Sequence, residues 1–159
     1  ENIRFAFRGA GAFFFWYNVK NMFKSPLFIK MFIIIALIAS LHFLAFQFYL
    51  YWRFWWFDSL MHFISGLWVA IAFFWAFFQS GHVNIIRNGK KSSLIVAIVS
   101  SFAIGIMWEI FEYSTGAVLA SGFDYIFDTV SDISFDLIGG LAGYYYFIYK
   151  GYHNTEIKN

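Results

Sequence analysis

Long runs without charge constrain this chain more than any other feature. From Met31 to Leu50 there is no aspartate, glutamate, lysine or arginine, and the same is true from Ser59 to Gly81. Each run is close to the ~20 residues that an α-helix needs to cross about 30 Å of hydrocarbon. A third stretch begins near Ser92, stays uncharged until Glu109, and continues past Glu112 to about Thr115. A fourth, from about Thr129 to Tyr149, is interrupted by Asp132 and Asp136. These last two reach spanning length only if they carry their acids into the membrane. Composition points the same way: 61% of the 159 residues are hydrophobic and 13% charged, against about 45–50% and about 25% in an ordinary globular chain. A soluble monomer of this size could not bury so much apolar surface, which argues against soluble folding and against disorder. The net charge of +2 gives no basic surface for nucleic acid. The absence of cysteine removes disulfides, thiol nucleophiles and thiolate metal sites.

The expected fold is therefore all-α, an integral membrane four-helix bundle forming a single membrane domain over residues 1–159. Its spans are expected at about 27–50, 58–80, 92–115 and 129–149. Residues 1–26 contain an apolar stretch, Gly9 to Tyr17, too short to span and bracketed by Arg8 and Lys20. That pattern predicts an N-terminal amphipathic helix lying in the interface. Arg4, Arg8, Lys20, Lys24 and Lys30 precede the first span, Arg87, Lys90 and Lys91 separate the second from the third, and Lys150 and Lys158 follow the fourth. The other two loops hold only Arg53. The positive-inside rule then puts both termini in the cytoplasm. Trp52, Trp55 and Trp56 fall at the outer interface, and Tyr144, Tyr145, Tyr146, Tyr149 and Tyr152 at the inner one, as aromatic belts do.

With this orientation the acids fall in one layer. Asp58 and His62 open the second helix, Glu109 and Glu112 close the third, and Asp128, Asp132 and Asp136 open the fourth. At 1.5 Å rise per residue, all lie between the outer interface and a depth of about 10 Å. Spacing along each helix adds to the coincidence, because residues three or four apart share a face. Asp58, His62 and Gly66 form one stripe, Gly105, Glu109, Glu112 and Gly116 a second, and Asp132, Asp136, Gly139, Gly140 and Gly143 a third. Small residues on a helix face permit close crossings, so these stripes are expected to face the bundle interior.

Asp58-x3-His62-x3-Gly66, then Trp108-Glu109-x2-Glu112-Tyr113, then Asp132-x3-Asp136 running into Gly139-Gly140-x2-Gly143 resembles the pattern of VanZ-like and YjdF-like bacterial membrane proteins. The resemblance covers about residues 55 to 145. It implies a multi-span bundle with these acids as its signature. VanZ-like proteins are associated with glycopeptide resistance and the YjdF-like family has no assigned activity, so no reaction comes with the likeness.

Intramembrane acids are costly and usually mark an ion path, a proton relay or a ligand site. So many carboxylates around one imidazole cannot all remain ionised; they need protons or a cation. An oxygen-rich shell with one histidine suits a divalent ion such as Mg2+, Mn2+, Fe2+ or Zn2+. The expected ligands are His62, Glu109, Asp132 and Asp136, with Asp58 orienting His62 and Glu112 serving as general base for an activated water. His42 is close enough in depth to join them. Dimetal carboxylate bundles use Glu-x2-His pairs, whereas this chain has Asp-x3-His and Glu-x2-Glu. The expected function is that of a metal-dependent hydrolase or transferase acting at the outer leaflet on a lipid-linked or phosphorylated substrate. Three alternatives use the same acids: a non-enzymatic binding module docked in an oligomer or membrane complex, a proton- or cation-coupled transporter, and a protonated hydrogen-bond network that only holds helices together. Such bonds average about 0.6 kcal/mol in membrane bundles. That makes so large a network an inefficient glue.

Overall fold

A computed structural model describes residues 25–80, 89–116 and 123–154, and the described residues are helical with short connections and no strand. The helices are α1 (Pro26–Phe48), α2 (Leu50–Arg53), α3 (Phe57–Phe74), α4 (Lys90–Thr115) and α5 (Phe123–Tyr149). A π-helical turn at Trp75–Gln79 prolongs α3, and a 3-10 turn at Tyr152–Asn154 follows α5. The interfacial helix expected over residues 1–26 lies outside the described residues except for Ser25 and Pro26. So does most of the basic loop between α3 and α4, Arg87 included.

Local chemistry sets the ends. Ser25 caps α1 by accepting the Phe28 amide at 3.1 Å, and Pro26 supplies the first helical residue, where its missing N–H costs nothing. The helix ends at Tyr49, which adopts the left-handed region at φ 55°. A tyrosine there is unusual. It converts the expected continuous span to residue 50 into a helix, a corner and the single turn of α2. Gly116 ends α4 at φ 70°, with open space where a side chain would be. It is thus a stop signal, not a continuation of the Glu109 stripe. The helix carrying Asp132 begins at Phe123, six residues before the expected start at 129.

Among the described residues three helices are long and apolar enough to cross a membrane: Pro26–Phe48, Phe57–Gln79 and Lys90–Thr115. Helix α5 is as long, but its aspartates and tyrosines make it less apolar. The long helices α3, α4 and α5 pack mutually, and α1 packs on α3. The indole of Trp68 donates to the Met31 carbonyl at 3.0 Å, tying α1 to α3.

Glycine decides how closely α5 approaches. A side chain at Gly139 would strike the Phe63 carbonyl, one at Gly66 the Asp136 carbonyl, and one at Gly143 would stand 3.2 Å from the Leu67 carbonyl. Against α4, a side chain at Gly140 would meet Ser101. The glycine stripes read from the sequence therefore lie at the α3–α5 and α4–α5 crossings. Beyond them, toward the Lys90 and Tyr149 ends, Leu27, Phe74, Phe78, Ala97 and Phe147 belong to a buried apolar core. Phe74 and Phe147 have ring centroids 4.4 Å apart. At this end Lys30 hydrogen-bonds to the Tyr146 hydroxyl. Its ammonium also lies over the Tyr146 ring, 4.9 Å from the centroid, a cation–π contact that partly compensates its desolvation.

Candidate metal centre

At the opposite end, His62 occupies the middle of the acid layer and is 5% exposed. Its Nδ1 donates to Asp136 Oδ2 at 3.0 Å across the α3–α5 interface. That bond fixes the ring and turns Nε2 toward the remaining carboxylates. Nε2 faces Asp58 Oδ1 at 4.0 Å and Asp132 Oδ2 at 3.9 Å. Both separations are too long for hydrogen bonds. Both lie just under twice a metal–ligand bond of about 2.1 Å, so an ion shared by all three atoms would draw the two carboxylates inward.

Two groups have the mutual distances of a metal shell, Asp58 with His62 and Asp132, and His62 with Glu109 and Glu112, the ligand atoms in each lying within 4.8 Å of one another. Glu109 Oε2 accepts the Thr129 hydroxyl at 2.7 Å. Glu109 Oε1 is buried with no hydrogen-bond partner, in a residue only 6% exposed. Leaving a buried carboxylate oxygen unpaired costs several kcal/mol unless a cation or proton meets it. Glu112 accepts the Trp108 indole at 2.8 Å and is half-buried at the edge of the layer. Among the described residues no lysine or arginine forms an ion pair with these acids; the ion pairs all involve His62.

Asp136 reaches His62 because two residues have no side chain. A Cβ at Gly105 would lie 2.5 Å from Asp136 Oδ2, and one at Gly66 would strike the Asp136 backbone. The glycines of α3 and α4 thus open a window through which an α5 carboxylate meets an α3 imidazole. Of the residues singled out from the sequence, Asp58, His62, Glu109, Glu112, Asp132 and Asp136 come together. The partner of His62 Nδ1 is Asp136 on another helix, and Asp58, one turn away on the same helix, stands on the Nε2 side. Asp128 is half-buried outside both groups, and Asp124 is exposed.

His42 lines the neighbouring cavity, and its Nδ1 hydrogen-bonds with the Tyr51 hydroxyl at 2.8 Å. Burial pushes the Tyr51 phenol above the usual tyrosine range, and the carboxylates of Asp58 and Glu112 push it further the same way. Sequence reasoning missed Tyr51 and Thr129. For Thr129 a signal existed, since it lies three residues before Asp132 on the same helix face. For Tyr51 none did, because the corner at Tyr49 turns it back toward His42.

A family model described as "Predicted membrane protein (DUF2238)" matches residues 8–152. The chain belongs to this family. No curated protein and no solved structure matches it. The DUF2238 match covers every residue of the acid layer, and its description supplies a membrane setting without an activity.

Proposed function

We propose that this DUF2238 protein binds a divalent cation at His62 Nε2 and uses it to hydrolyse or transfer a phosphate ester in the membrane. One observation carries the reading: an imidazole held by Asp136 presents its second nitrogen to Asp58 and Asp132 at 3.9–4.0 Å, beside the unpartnered oxygen of buried Glu109. Mg2+, Mn2+, Fe2+ and Zn2+ all accept this oxygen-rich donor set. Asp58, His62 and Asp132 would ligate, Glu109 would complete the shell, and Asp136 would orient the imidazole. The chemistry a divalent ion would supply here is an acidified water. Glu112, with one oxygen held by Trp108, is placed to take that proton. With that proton on Glu112, water could attack phosphorus, the P–O bond to the leaving group would break, and Glu112 would return the proton to the leaving oxygen.

In this reading α5 is a fourth span, both termini are cytoplasmic, and the acid layer lies toward the outer leaflet of a bacterial-type inner membrane. The likeness to VanZ-like and YjdF-like proteins rests on the same acid and glycine series. A transport path is disfavoured because Phe74, Phe78 and Phe147, all 2% exposed or less, fill the bundle below the acids. Elemental analysis of the purified protein is the test. Stoichiometric metal in the wild type, lost in Asp132→Asn with helicity retained, is the expected result. A metal-free wild type prepared without chelator and challenged with Mn2+ or Zn2+ would overturn it.

A further inference from the structure

The acid layer opens on one side into a cavity of about 500 Å3, a volume in the range of about 300–1,000 Å3 common to ligand sites. Helix α3 forms its floor. Ile38 and Ala39 of α1 form one wall, and Ile104 and Phe111 of α4 the other. Tyr51 and Trp52 of α2 also line the cavity, but α1 packs on α3 while α5 packs on α3 and α4, which leaves no further long helix among the described residues over the side between α1 and α4. That side faces where lipid would be. Asp58, His62, Glu112 and Asp136 line the cavity at its acid end, and most of the remaining lining is apolar.

A chamber that is apolar along its walls, acidic at one end and open toward the bilayer matches an amphiphile better than a soluble phosphate compound. We propose that the ligand is a lipid phosphate that enters sideways, its hydrocarbon chain lying between α1 and α4 and its phosphate reaching the cation at His62. This inference rests on the metal reading above, because the carboxylates would repel a phosphate unless a cation stood between them. The apolar walls would take the hydrocarbon chain, and a cation held by the acids would take the phosphate. Phospholipids and polyprenyl phosphates share this chemistry.

The test uses the full chain in phosphatidylcholine vesicles containing Mn2+ and a trace of phosphatidic acid with a photoreactive group on its acyl chain. After illumination, labelled residues are mapped by mass spectrometry. Ile33 and Phe43, exposed on α1 and outside the cavity lining, give the background for ordinary lipid contact. Labelling at Ile38, Ala39 and Ile104 should exceed it several-fold. It should fall to background with EDTA, and in Ala39→Trp, which fills the slot while leaving the acids intact. Unlabelled polyprenyl phosphate that competes more strongly than phosphatidic acid would identify the polyprenyl source, and the reverse order the phospholipid source. Bound metal with cavity labelling no higher than at Ile33 overturns the lipid slot and leaves the metal centre standing. Labelling that survives EDTA overturns capture through the cation. Absence of metal from the vesicles' protein removes the metal reading and this inference together.

Discussion

At one end of the bundle α3 and α5 meet through Phe74, Phe78 and Phe147, with centroids as close as 4.4 Å. At the other end the same two helices meet through His62, Asp132 and Asp136. Glycine sets the spacing between the helices in the crossing that joins these regions. The aromatic end completes itself, since dispersion and burial need no outside partner. The acid end does not, because His62 satisfies only part of the surrounding carboxylate and Glu109 Oε1 is left over. The difference separates a half completed by packing from a half that keeps an unpaired buried acid.

The comparison can be broken by loading each half separately. Phe147→Ala should cost about 3–5 kcal/mol, as large-to-small changes in well-packed cores do. Unfolding in detergent micelles would measure this, and metal content per folded chain should stay unchanged. Mn2+ at about 100 times its Kd should stabilise the wild type by about 2.7 kcal/mol through binding linkage. EDTA should reverse the gain, and Asp132→Asn should show none. Gly139→Ala forces a methyl group against the Phe63 carbonyl, with an expected cost of about 1–3 kcal/mol. Because Gly139 lies three residues beyond Asp136, this variant should also weaken metal binding, sharpening the dependence of the acid end on the crossing.

Tyr51→Phe should have the smallest effect, about 0.5–1.5 kcal/mol for one hydrogen bond to His42. Tyr51 also carries a pH signature. Its phenol is raised in the folded protein, so folded and unfolded states both hold the proton below the ordinary tyrosine pKa of about 10. Above that pH the unfolded state loses it first, and stability should fall as pH rises further. Tyr51→Phe should show a shallower alkaline decline in an unfolding series.

Much of the fold was legible from local pattern. Charge-free runs located α1, α3 and α4 to within a few residues, because span length is set by hydrocarbon thickness. Three- and four-residue spacing put Asp58 with His62, Glu109 with Glu112, and Asp132 with Asp136 on shared faces. The corner at Tyr49 was not legible, since tyrosine carries no preference for left-handed backbone. Gly116 was read as part of a stripe because a stop glycine and a packing glycine look alike in sequence.

The sequence by itself determined a membrane protein of apolar helices whose few acids gather in one layer, because hydropathy and helical periodicity are properties of neighbouring residues. Only the tertiary structure decided that Asp136, not Asp58, holds the imidazole. That choice depends on how far two helices approach, which Gly66 and Gly105 on the facing helices control. It also decided that α1 stands away from α4 and leaves a cavity beside the acids, since which helices pair is a property of surfaces far apart in the chain.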